Sequence, residues 1–324
     1  MTLPDLFPTT TVGSFPKPAD LAQLRSRVQQ GKAGVDELDA LTREKTRELI
    51  AAQERVGLDL LVHGELERGD MVTYFAELIE GFELAGFVRS YGNRYYRKPV
   101  ARRPLVARGP MTVETFRFAQ GLTDRPVKAM LTGPYTIMDW SFNEAYPDRR
   151  GFALAVAEIL HDEAVRLEAA GARFIQIDEP ALSTRPEEIA LGIEALGVVT
   201  RGLTARTITH ICYGAIDEVY PEILELPVDQ LDLEAKNNGF AVLDVLARGP
   251  VPKEVALGVV DVHSHRVESA EEVEAAILRA AEVIPPRQLF VDPDCGLKTR
   301  TEAEAWAKLE AMVEGVRRAR LKLG

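Results

Sequence analysis

RTITHICYGAIDEVYPEILELPVDQLDLEA, residues 206–235, holds one full period of the chain. A β-rich run, RTITHIC (206–212), gives way to apolar residues at helical spacing (216–226) and then to a second β-rich run, DQLDLEA (229–235). A strand, a helix and a strand in that order predict a parallel sheet with helical crossovers. Working outward, runs of the same kind recur at TTTVG (9–13), LDLLVHGE (58–65), VKAMLTG (127–133), RFIQIDEP (173–180), EVALGVVDVH (254–263) and QLFVDPDC (288–295). Helical patterns fall at 42–57, 152–171, 186–200, 239–247, 269–284 and 301–320. Eight strands alternating with helices predict an α/β fold of the (β/α)8 TIM-barrel type, which needs about 250 residues. The surplus of this 324-residue chain lies at the N-terminus and between strands 2 and 3, where SYGNRYYRKPVARRP (90–104) predicts an inserted hairpin. No Gly/Ser linker divides the chain, so residues 1–324 are expected to form one domain. The alternative, a doubly wound open sheet, would open on a strand, a glycine-rich turn and a helix, and this chain does not.

Composition narrows the function. Hydrophobic residues make up 46% and charged residues 27%, as in a globular chain with a sizeable core. A net charge of −11 argues against nucleic acid as a partner. No apolar run is long enough to span a bilayer, so no membrane partner is expected. MTLPDLFPTTTVGSFP lacks the basic-then-apolar pattern of a signal peptide, and a cytoplasmic location is expected. In that reducing compartment a disulfide between Cys212 and Cys295, the two cysteines, is not expected.

Barrel active sites sit at the C-terminal ends of the strands. There this sequence places Ser14, Glu65, Gly133, Asp178, His210 with Cys212, Glu234, His263 and Cys295. His210 and Cys212 are two apart on one strand, so their side chains share a face. With Glu234 and Cys295 they offer one nitrogen, one oxygen and two sulfurs, a mixture that Zn2+ favours. Taken singly, each cysteine also reads as a small buried apolar residue. His63 reads as a hydrogen-bonded core or supporting residue, His161 as a helix-surface residue, and His265 carries no role. Of the pair Asp178–Glu179, one carboxylate can cap a helix while the other faces a cavity. Trp140 reads equally as core or as cavity wall, and RYYRKPVARR as a solvated hairpin.

TTTVGSFPK, VHGELERGDMV, SYGNRYYRKP, LTGPYTIMDWSF, IQIDEPAL, THICYG, DVHS and VDPDCGLKTR run in order through the chain. Together they resemble the C-terminal catalytic barrel of the cobalamin-independent methionine synthase family, in its short single-barrel form. The resemblance runs from residue 9 to about 315. It implies a zinc-dependent methyltransferase that makes methionine by transferring a methyl group to the thiol of homocysteine. It implies one Zn2+ per chain, held by His210, Cys212, Glu234 and Cys295. Homocysteine contacts fall on the turn Val12–Gly13–Ser14, on Glu65 and on Asp178, and the proton donor on His263. Donor contacts fall on Arg94, Tyr95 and Trp140. This half matches less well: Tyr95 stands where the family has a small residue or Cys, and Thr184 where the longer enzymes have an acidic residue. The implied methyl donor is therefore either 5-methyltetrahydrofolate or a methylated corrinoid, the latter on a carrier protein. Two rival readings stand beside this one, a zinc methyltransferase acting on another thiol and a non-catalytic zinc-binding barrel.

Overall fold

The computed structural model describes residues 2–89, 95–212 and 216–324. Its strands are β1 (Leu61–Val62), β2 (Ile79–Arg89), β3 (Tyr95–Ala107), β4 (Val127–Thr132), β5 (Phe142–Asn143), β6 (Phe174–Asp178), β7 (Arg206–Ile211), β8 (Gln230–Leu233), β9 (Glu254–Val260) and β10 (Leu289–Pro293). Its helices are α1 (Ala19–Gln29), α2 (Val35–Val56), α3 (Met71–Leu78), α4 (Val113–Gln120), α5 (Pro134–Asp139), α6 (Arg149–Ala169), α7 (Ile189–Thr200), α8 (Ala241–Leu246), α9 (Ala270–Ala281) and α10 (Glu302–Leu323). Seven strands form one sheet in the order β1-β4-β6-β7-β8-β9-β10. The order follows the chain, as expected when each crossover returns to the neighbouring position. The fold is a (β/α)8 barrel with a hairpin, β2–β3, inserted between its second and third strands.

By contacts the chain groups into two compact halves, and the divide falls inside β4 and β8. The first half comprises Met1–Glu67, Thr115–Lys128 and Asp232–Gly324. Its N-terminal segment, predicted as a strand over 9–13, makes only a single parallel bridge, Thr9 with Val291. The segment still acts as a stave. The Thr10 amide donates to Val291 O at 3.0 Å on one side, and the Asp59 and Leu60 amides donate to Thr9 O on the other. Helix α10 buries Ala305, Leu309, Met312, Val316 and Ala319, spaced three and four apart on one face. Each large side chain so buried stabilises the fold by about 1.5–3 kcal/mol. Capping boxes at Ser269/Glu272 and Thr301/Glu304 fix the starts of α9 and α10.

The second half comprises Arg68–Glu114 and Ala129–Leu231. Here β4 pairs in parallel with β6, and β6 with β7. Every residue of β6 is buried, as in strands covered on both faces. The hairpin β2–β3 is antiparallel, broken by two register shifts, and β5 adds to its edge. The helix expected over 216–226 is instead two 3-10 turns, Ile216–Glu218 and Glu222–Glu225. Pro221 stands between them, where its missing N–H and its ring bar a continuous helix.

Candidate active site

In the second half, β7 delivers His210 and Cys212 with 3% and 5% of their surface exposed. Two neighbours pin this strand end. The Glu179 amide donates to His210 O at 2.9 Å, and Ser183 Oγ donates to Cys212 O at 3.0 Å. Asp178 ends β6, buried, and accepts from Gln176 Nε2 at 2.7 Å. Glu179 is wholly buried and caps α5, accepting from the Tyr135 amide (3.0 Å), the Thr136 amide (2.8 Å) and Thr136 Oγ1 (2.7 Å). Burial pushes its carboxyl up to about 7, against the pull of the Thr136 and Tyr135 donors, and the Asp178 charge adds to the rise. A Cβ on Gly133 would lie 2.1 Å from the Glu179 carboxyl carbon, so this approach requires glycine there. Of the Asp178–Glu179 pair, Glu179 thus caps a helix, but that helix is α5 and not one opening at Pro180. Trp140 ends α5, half-buried, and its carbonyl accepts from Tyr96 OH at 3.1 Å. Of the other expected donor contacts, Arg94 lies outside the described residues, and Tyr95 opens β3 opposite Arg89.

In the first half, Cys295 follows β10, half-buried. Its neighbour Asp294 is fully buried and binds the turn after β8 through the Ala235, Lys236 and Asn237 amides at 2.7–2.9 Å. Burial pushes the Asp294 carboxyl up to about 8; the three amides pull it down, and Glu234 adds to the rise. Gly258 of β9 makes room for Asp294, because a Cβ there would sit 2.6 Å from the Asp294 Cα. Glu234 is buried; its Oε1 accepts from Asn237 Nδ2 at 2.7 Å and lies 3.7 Å from His263 Nε2. The His263 amide donates to Asp261 Oδ1, and its side chain is 30% exposed. Val12 and Gly13 are buried and Ser14 half-buried. Leu297 N–H donates to Ser14 O at 2.7 Å, and Phe15 N–H donates to Gly64 O at 3.1 Å. Three loops are therefore laced together by main-chain bonds. Glu65 is held at φ +54°, a left-handed value uncommon outside glycine and typical of functional turns. His63 is buried beneath it, with Nε2 3.1 Å from Glu67 Oε1. His161 is half-buried, its Nδ1 3.1 Å from Val199 O, rather than a surface residue.

Ligand atoms of His210, Cys212 and Cys295 all lie within 4.8 Å of one another. An imidazole nitrogen and two sulfurs are the donor set of a borderline-soft divalent ion. These residues would fit such an ion, since their ligand atoms are this close and of the types it prefers. Glu234 is not in this group of three. Sequence reasoning missed three supports, Asp294, Asn237 and Gly258. It read His63 as a hydrogen-bonded core or supporting residue, as found, but did not name its partner Glu67, four residues on.

Comparison with known proteins places the chain in a family. Residues 7–318 match the model of the cobalamin-independent synthase, catalytic domain. A protein of Saccharolobus solfataricus named methionine synthase is 38% identical over 320 residues, covering 98% of this chain and 96% of the relative. A 5-methyltetrahydropteroyltriglutamate–homocysteine methyltransferase of Streptomyces avermitilis is 42% identical over 97% of this chain, but this chain spans only 42% of that relative's length. A B12-independent methionine synthase of a Shewanella species, solved in complex with selenomethionine, superposes with a TM-score of 0.89 at 28% identity, covering 98% of this chain and 99% of that one. Among the described residues no helix is long and apolar enough to cross a membrane. The chain belongs to the cobalamin-independent synthase family, through that family's catalytic domain.

Proposed function

We propose that this chain is a single barrel domain that methylates the thiol of homocysteine to give methionine in the cytoplasm. One Zn2+ is held by His210, Cys212, Glu234 and Cys295. The observation that carries the reading is the group of His210, Cys212 and Cys295 at strand ends. Relatives named as homocysteine methyltransferases support the acceptor.

A free thiol has a pKa of about 8.5 and is mostly protonated at neutral pH. The bound ion supplies Lewis acidity that favours the thiolate. The chain's own residues supply position, which is worth much of the barrier in an in-line displacement. Glu65 and Asp178 hold the acceptor's ammonium group, and the turn Val12–Gly13–Ser14 meets its carboxylate. The new bond is S–CH3. The bond that breaks is N–CH3 of 5-methyltetrahydrofolate or Co–CH3 of a methylated corrinoid, brought by a carrier protein. A pterin nitrogen leaves well only with a proton, which His263 supplies from Nε2; a corrinoid needs none. Arg94, Tyr95 and Trp140 are the residues assigned to the donor.

The test is methionine formation by zinc-loaded protein with homocysteine and, in parallel, methyltetrahydrofolate (mono- and triglutamate) or methylcobalamin. Turnover with either supports the reading and names the donor. No methionine from any of them, with zinc bound, would sink it in favour of another acceptor thiol.

A further inference from the structure

Gly296 follows Cys295 and has no need of glycine for its backbone, since its φ of −59° and ψ of 140° suit any residue. What glycine provides here is space. A Cβ at 296 would stand 2.0 Å from Ser14 Oγ and 3.3 Å from Ser14 Cβ. The hydroxyl thus lies directly over the bare Cα of the loop that carries Cys295. The backbones are locked at the same point by the bond from Leu297 N–H to Ser14 O, at 2.7 Å. Ser14 cannot retreat as a loop, so a side chain at 296 would be met by rotation of Ser14 about χ1, out of its present rotamer.

We infer that Gly296 is a positioning residue: by leaving its side-chain space empty it admits the present rotamer of the Ser14 hydroxyl and so sets the chain's preference for an acceptor thiol bearing an α-carboxylate. The inference rests on the proposed role of the 12–14 turn. A hydroxyl on a backbone already locked in place needs little ordering to donate to a carboxylate, and such a bond to a charged group is worth about 10- to 100-fold in affinity. A missing side chain on the metal-bearing loop would then read a group on the acceptor.

The experiment compares homocysteine with 3-aminopropanethiol, which keeps the amine and thiol and lacks the carboxylate. Calorimetric titration of zinc-loaded wild type, Gly296→Ala, Ser14→Ala and the double variant gives the preference for homocysteine. Metal analysis and a melting curve accompany each. Gly296→Ala is expected to cut the preference about 10- to 100-fold, to leave 3-aminopropanethiol affinity and zinc content unchanged, and to add nothing to Ser14→Ala in the double variant. Undiminished preference in Gly296→Ala overturns the inference, as does equal loss for both thiols, loss of zinc, or additivity in the double variant. If Gly296→Ala does not fold, Ser14→Ala alone must lose the preference, and its retention overturns the inference. A wild type that binds homocysteine no better than 3-aminopropanethiol removes this inference alone. A wild type that binds neither removes the proposed function as well.

Discussion

The loops at 12–15, 63–66 and 294–297 and the hairpin β2–β3 are built in opposite ways. The loops are tied by main-chain bonds from Leu297 to Ser14 and from Phe15 to Gly64, and Asp294 gathers three further amides. Glycines at 258 and 296 let these pieces touch without intervening side chains. The hairpin buries Ile79, Phe82, Val100 and Ala101 but shows water two apolar residues, Phe87 at 72% and Val106 at 56% exposure. Its second arm carries Arg97, Lys98, Arg102 and Arg103 with no acidic residue. Lys98 lies 4.2 Å over the Phe142 ring, Arg97 reaches the carbonyls of Leu84 and Ala85, and Arg102 pairs with Glu83 and Glu144. Tied, buried loops suit a fixed task. A ribbon with exposed apolar side chains suits contact with a second molecule, as the proposed methyl donor would be.

The largest effect that could break this contrast is at Cys295. Cys295→Ser is expected to release the metal and to lower methionine formation by more than about 100-fold, since even residues supporting metal ligands are worth 10- to 100-fold. Metal analysis of the purified variant beside the turnover assay checks this, and full zinc with full turnover would falsify the ligand assignment. Next comes Asp178→Asn, which keeps the shape and removes the charge. It is expected to weaken homocysteine binding about 10- to 100-fold while zinc stays in place. Unchanged affinity by titration would take Asp178 out of the acceptor site.

Much of this was legible in the chain itself. The β-rich runs ending in His, Cys, Asp and Glu located the strand ends, because a buried parallel strand needs an apolar run and a barrel site needs polar groups where it stops. The N-terminal stave is shorter than the strand expected over 9–13: TTTVG has β-branched residues in plenty, yet its main-chain bonds to Val291, Asp59 and Leu60 run from Pro8 to Thr10. The helix over 216–226 was overcalled because apolar spacing outweighed Pro221. The supports were illegible for another reason. That Gly258 makes room for Asp294, and Gly296 for Ser14, depends on which distant residues meet, and no local pattern in sequence encodes that.

A smaller effect sharpens the contrast through pH. Glu179 has a folded pKa of about 7, against an unfolded value near 4.3. Between those values the folded chain keeps a proton that the unfolded chain has lost, so stability contributed at this position falls as pH rises from about 4.3 to 7. Glu179→Gln cannot titrate. Its amide also turns an N–H towards the Tyr135 or Thr136 amide, at a cost of about 1–3 kcal/mol. The variant is therefore expected to melt lower than wild type at pH 5, with the gap narrowing by pH 8. Taking the difference between the two proteins cancels the groups they share, including Asp294. A gap that is constant or widens would mean that the three donors hold Glu179 ionised throughout.

The smallest expected effect tests the hairpin itself. Phe87 is mostly solvated, so Phe87→Ser gives up little buried area, and its effect on stability should stay within about 0.5 kcal/mol. Homocysteine affinity and zinc content should not move, because neither depends on this ribbon. The change is expected in the donor: a raised KM for whichever methyl donor supports turnover, with the acceptor's KM unaltered, as when binding common to ground and transition states is lost. Exposed aromatic side chains give most when a partner covers them, which is why so small a change in the free protein can be large in the complex. If Phe87→Ser leaves both KM values alone, the exposed apolar face of the hairpin serves no donor. If it shifts the acceptor instead, the two regions are coupled, and the division between a fixed acceptor side and an adaptable donor side fails.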